Sequence, residues 1–156
     1  MRAYHDEEYG FPIETDEAFL ERLVLELNQA GLSWLTVLRK REGFRGAYRG
    51  FNVDAVASFT ERDRQRLLAD PSIIRNRRKI DAAIENAREF QRLRAEHGSI
   101  KSWLDNHAGE SLEEWIGRFK SHFKFTGPEI TNEFLVSTGY LPVAHKPHCW
   151  LYAAKR

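Results

Sequence analysis

The chain has 156 residues, 24 Lys and Arg against 23 Asp and Glu, a formal net charge of +1 and one cysteine. That length predicts a single domain, residues 1–156, and 42% hydrophobic residues supply enough core to exclude disorder. A lone thiol, Cys149, excludes an intrachain disulfide framework and a four-cysteine zinc site. No apolar run reaches the roughly 18–20 residues of a membrane helix, and the N-terminus carries no apolar signal core. A soluble, cytoplasmic protein is expected.

In chain order the pattern is helical. Thr15 precedes Asp16 and Glu17, an N-cap followed by acids in the first turn. Phe19, Leu20, Leu23, Val24 and Leu27 then recur at helical spacing, and Gly31 closes the run. A shorter helix is predicted over 34–49, with Leu35 and Leu38 packing. Thr60 to Asp63 reads as a capping box ahead of Leu67 and Leu68. The longest stripe, Ile80, Ala83, Ile84, Ala87, Phe90 and Leu93, predicts a helix from about 76 to 97. Ser111 and Glu114 form a second capping box before Trp115, Ile116 and Phe119, and Pro128 and Gly139 bracket a last helix. No segment alternates as a strand does, so the fold class is all-α.

The charge is unevenly spread. Residues 1–30 hold eight acids and two bases, whereas Arg39, Lys40, Arg41, Arg45 and Arg49 face only Glu42. Arg75, Arg77, Arg78 and Lys79 form a second basic knot, and Arg118, Lys120 and Lys124 a looser third. Singly, each reads as a solvated helix face. Together, near turns, they favour a polyanion modestly.

Two places stand out chemically. Glu26 lies about 90° from the centre of its helix's apolar stripe, at the stripe's edge. Spacing leaves two readings open: a carboxylate reaching solvent, or one on a pocket floor beside an aromatic such as Trp34. Phe123 to Thr131 places Gly127 and Pro128 between two helices. Such a turn is usually only a turn, but a bare glycine N–H at a helix N-terminus also grips an anion. Lys120, His122 and Lys124 just upstream favour the second reading. His145 and Cys149 have metal-ligand spacing, yet two ligands do not make a zinc site.

Tyr4-His5-Asp6-Glu7-Glu8-Tyr9-Gly10 and Glu26-Leu-Asn-Gln-Ala-Gly-Leu-Ser-Trp34, with Ile73 to Ile80, Asn86 to Arg88 and Phe123 to Gly127, resemble the 3-methyladenine DNA glycosylase I family. The resemblance runs from about residue 4 to 149. It implies a helix-hairpin-helix DNA glycosylase-like helical bundle that flips an alkylated base from double-stranded DNA and hydrolyses its N-glycosidic bond. Glu26 matches the family's pocket glutamate, the group expected to be catalytic. Tyr4 and Trp34 match the aromatics around the base, and Tyr9 stands where the family usually has Trp. Gly127, Thr126, Lys124 and Lys120 fall on the DNA-gripping hairpin. His5, His145 and Cys149 match three of the family's four structural zinc ligands.

The resemblance also marks departures. The family usually begins about a dozen residues earlier, with the first zinc cysteine and two pocket aromatics. The metal expectation is therefore a three-ligand site completed by water, or none, and the chemistry itself needs no cofactor. A monomer acting on alkylated DNA, away from membranes, is expected. The alternatives are a non-catalytic module for alkylated DNA, a glycosylase for another N3-alkylpurine, and a helical partner-binding protein.

Overall fold

The computed structural model describes residues 13–142. Helix α1 (Asp16–Gln29) starts where its sequence says it should: the Thr15 hydroxyl accepts a hydrogen bond from the Ala18 N–H at 3.1 Å. It buries Phe19, Leu20, Leu23, Val24 and Leu27, and the chain reverses through Gly31 at φ 81°. The helix predicted over 34–49 is two helices, α2 (Trp34–Arg39) and α3 (Arg41–Ala47), followed by a 3-10 turn at Arg49–Phe51. The break at Lys40 re-aims α3 so that Arg41 and Arg45 both reach Glu21 of α1 while Phe44 and Tyr48 enter the core.

Helices α4 (Val53–Ala57) and α5 (Glu61–Leu68) follow, the second opened by the Thr60–Asp63 capping box. Then comes α6 (Arg77–His97), 21 residues and about 31 Å long at 1.5 Å per residue. Its N-cap is Asn76, and its buried face carries the whole apolar stripe. It packs against α1, α4, α5 and α7 (Ile100–Asp105), which makes it the axis of the domain. Helix α8 (Leu112–His122) begins at the Ser111–Glu114 capping box, and α9 (Pro128–Ser137) packs on α1 and α8. Trp103, Trp115, Phe119, Phe123 and Phe134 close this end as a chain of ring contacts. Among the described residues there is no strand, and the class is all-α.

The α8–α9 turn is fastened to α6 by one side chain. Asn86 is fully buried; its Nδ2 donates to the Lys124 carbonyl at 3.1 Å and its Oδ1 accepts from the Lys124 N–H at 2.7 Å. The amide thus acts as a peptide partner for a backbone that has left its helix. Asn86→Ala leaves both Lys124 groups unpaired, at a cost of about 1–3 kcal/mol. The melting temperature is expected to fall by roughly 2–4 °C for each of those kcal/mol. An unchanged thermal midpoint contradicts the fastening.

Candidate active site

The structure excludes one of the two readings of Glu26, a carboxylate reaching solvent. The residue is 1% exposed, and neither carboxyl oxygen has a hydrogen-bond partner at good geometry. Burial, and then the nearby charge of Glu133 on α9, push its proton affinity well above the ordinary carboxylate range. Arg22, one turn earlier and also buried, pulls the other way, as does Ser137. That opposition is incomplete. Arg22 Nη1 is drawn to the Ser137 carbonyl at 3.0 Å, and the Ser137 hydroxyl donates to the Phe134 carbonyl at 3.0 Å. Glu26 is therefore a buried acid whose oxygens the fold leaves without donors.

The chain beyond Glu26 leads to Trp34 through a four-residue turn. Trp34 is the first residue of α2, half-buried against the core, and Ser33 caps that helix by accepting from the Thr36 N–H at 3.2 Å. Lys79 of α6 lies beneath the turn. Its Nζ donates to the Asn28 carbonyl at 3.1 Å and the Ala30 carbonyl at 3.0 Å. Burial lowers its proton affinity.

The α8–α9 turn has the features of an anion grip. Gly127 is the N-cap of α9 and offers no capping side chain, and Pro128 has no N–H, so the first-turn donors of α9 lack a side-chain cap. The backbone at Gly127 is extended (φ −71°, ψ −177°), and a Cβ there meets nothing within 4 Å. Nothing inside the fold requires glycine at this position. What a side chain would obstruct is a group approaching from outside. Lys120 and Lys124 are exposed on the same element. Thr126 is buried, its hydroxyl directed at the Phe119 and Phe123 carbonyls at 3.4 Å each, so its side chain shapes the turn. Arg78 stacks its guanidinium over Phe125, 5.8 Å from the ring centre.

The three basic clusters look different once folded. Arg41 and Arg45 pair with Glu21, Arg77 with Glu61, and Arg118 with Glu110. Lys40 and Lys79 are bound to backbone carbonyls. Arg39, Arg49, Arg75, Arg78, Lys120 and Lys124 make no ion pair with a described residue, and they are what the clusters offer a partner. Three further residues escaped the sequence reading: Arg22, Lys79 and Asn86. Their signal was a polar side chain in phase with apolar ones, since Lys79, Ala83, Asn86 and Phe90 fall on one face of α6. Tyr4, Tyr9 and the zinc-matching His5, His145 and Cys149 lie outside the described residues.

Helix α9, uncapped by a side chain and entered from α8 through a short glycine turn fixed to a helical core, has the arrangement of a helix-hairpin-helix domain. The chain belongs to the methyladenine glycosylase family, whose model matches residues 1–119. The DNA-3-methyladenine glycosylase 1 of Escherichia coli (strain K12) is 36% identical over 135 residues, covering 86% of this chain and 64% of that protein. The DNA-3-methyladenine glycosylase of Haemophilus influenzae (strain ATCC 51907 / DSM 11121 / KW20 / Rd) is 33% identical over 119 residues, covering 76% and 58%. The chain thus spans less than two thirds of both curated relatives. The structure of 3-methyladenine DNA glycosylase I from Staphylococcus aureus, solved for the basis of its 3-methyladenine recognition, superposes with a TM-score of 0.83. It shares 28% identity, and the match covers 96% of this chain and 89% of that one.

The isolated protein bears a cost at Glu26, and its sign is fixed. A carboxyl whose folded affinity for protons is raised binds more protons folded than unfolded, so stability is lost as pH rises above about 4.5 toward the raised value. Glu26→Gln removes the ionisation. It is expected to raise stability at neutral pH by about 1 kcal/mol or more, with the melting temperature up by ~2–4 °C and that pH slope gone. Thermal melts of both proteins between pH 4 and 8 check this; a less stable Gln variant contradicts it.

Proposed function

We propose that this chain is a monofunctional DNA glycosylase that hydrolyses the N-glycosidic bond of 3-methyladenine flipped out of duplex DNA. It acts as a single domain and a monomer, in the bacterial cytoplasm, with no cofactor in the chemistry. Family membership supports the reaction class. The observation that carries it to a site is the buried Glu26 carboxyl whose two oxygens lack donors. Buried acceptors in folded proteins are nearly always paired, so one left open is reserved for a ligand.

The chemistry follows from the charge of the substrate. Alkylation at N3 makes the purine a cation and a ready leaving group, so the protein must select and orient it more than activate it. Glu26 accepts hydrogen bonds from the exocyclic amine or a ring N–H, and the arriving cation supplies the opposite charge that the empty site lacks. Trp34, with Tyr4 and Tyr9, stacks on the base; such cation–π contacts are worth about 0.5–2 kcal/mol. Neutral adenine gains less from both terms. The C1′–N9 bond breaks with its electron pair leaving on the base. Water adds at C1′ and loses its proton to solvent. Lys79, the buried lysine at this end of α1, has its Nζ engaged by two carbonyls and is not a Schiff-base nucleophile. On the other side, Gly127 and the first turn of α9, with Lys124 and Lys120, hold a phosphate without reading sequence, and Thr126 shapes their turn.

A free-base release assay on 3-methyladenine duplex tests the reading. The wild-type chain is expected to release the base, and Glu26→Gln to lose excision by at least about a hundredfold while keeping duplex affinity. The acid limb of kcat/KM is expected above 4.5, because the free protein must ionise Glu26 against its burial. Tight binding to methylated duplex with no base released identifies a non-catalytic module instead. Gly127→Val, which fits the fold, should leave the melting temperature unchanged and weaken binding to every duplex alike. A sequence-dependent loss contradicts the phosphate grip.

A further inference from the structure

The buried lysine under the α1–α2 turn has no part in the chemistry above, and its surroundings do not explain it as ordinary core. Helix α1 ends without a basic residue in its last turn, and its cap residue, Ala30, sits at φ −53° and ψ 117°, outside the left-handed conformation that usually closes a helix. Two carbonyls at that end, Asn28 and Ala30, instead accept from Lys79, which reaches across from α6. The ammonium also meets the negative end of the α1 dipole. A buried charge is a weak source of net stability, because desolvation offsets most of the attraction. What two hydrogen bonds from one rigid helix do supply is direction. They fix where α1 stops and how the chain leaves it.

That exit matters because the turn joins Glu26 to Trp34, the described residues assigned to the edge and to a face of the base. We propose that Lys79 is a positioning residue for base excision: its ammonium locks the α1–α2 turn to α6, and so holds Glu26 and Trp34 at the separation that a flipped base requires. The inference rests on the function proposed above. It works through geometry, since Lys79 is not among the charges that act on Glu26. It is also distinct from the duplex grip, which hangs on the same helix two turns further along at Asn86.

The test compares wild type, Lys79→Met and Lys79→Arg on 3-methyladenine duplex, reading the single-turnover excision rate and the duplex Kd separately. Methionine keeps the length of the side chain and removes the donors; arginine keeps charge and donors. Lys79→Met is expected to excise on the order of tenfold to a hundredfold more slowly, the scale of a displacement of about 1 Å in a site, with Kd changed less than about threefold. Lys79→Arg is expected to restore most of the rate. Should the Met variant not fold, Lys79→Gln, which retains a donor, is read by the same split. An unchanged rate in the Met variant overturns the inference. So does a loss of rate and affinity in equal proportion, or a folded Arg variant as slow as Met. If the wild type itself releases no base, the glycosylase reading fails and this inference with it.

Discussion

Helix α6 is the constraint on which the rest of the domain depends, and two polar side chains on its buried face make it so. Asn86 binds both backbone groups of Lys124, and Lys79 binds two carbonyls at the end of α1. They stand seven residues apart, two helical turns and about 10.5 Å along the axis. One holds the turn that carries Gly127, the other the turn between Glu26 and Trp34. The proposed function, a phosphate grip and a base site on one duplex, needs those two turns at a set distance. A straight, close-packed helix provides it, because well-packed cores do not deform continuously.

Glu26 shows the opposite economy. Among the described residues Glu26 is the one buried carboxyl with neither oxygen bonded; other acids are matched, as in the capping boxes at Thr60 and Ser111, Arg45 on Glu21 and Arg118 on Glu110. At Glu26 the fold buries an acid, adds the like charge of Glu133, and directs Arg22 and Ser137 to other acceptors. A buried acid without donors, set among helix ends and ion pairs that obey the local rules, has the usual mark of a functional group. The strain also has a direction. Surroundings that disfavour the carboxylate favour a cation beside it over a neutral group, so under the proposed function the destabilisation of the free protein and the preference for alkylated adenine have one origin.

Most of the helices were legible because their signals are local. Thr15, Thr60, Ser111, Pro128 and the stripe from Ile80 to Leu93 specify ends and faces within a few residues of themselves. The break at Lys40 was not legible, since it depends on where Glu21 lies in space when Arg41 and Arg45 arrive. Glu26 was half legible. Its angle on the wheel put it at the edge of the stripe, and only the arrival of α9 covers that edge. Lys79 and Asn86 were visible as polar residues in an apolar phase, but their partners lie 51 and 38 positions away and no spacing rule connects them. Family resemblance supplied the identity of the acid; the fold supplied its lack of partners.

The charge distribution changes meaning in the same way. As a string, the chain has three basic clusters that invite a polyanion. Folded, half of those cations are already engaged: Arg41, Arg45, Arg77 and Arg118 face carboxylates, and Lys40 and Lys79 donate to carbonyls. A paired arginine that stays paired displaces no counterion from a nucleic acid, so it adds nothing to the salt-dependent part of binding. What remains without an ion pair to a described residue is Arg39, Arg49 and Arg75, with Lys120 and Lys124 around an uncapped helix end and Arg78 held over Phe125. Such cations act on any polyanion alike, so under the proposed function discrimination falls to the buried Glu26 carboxyl.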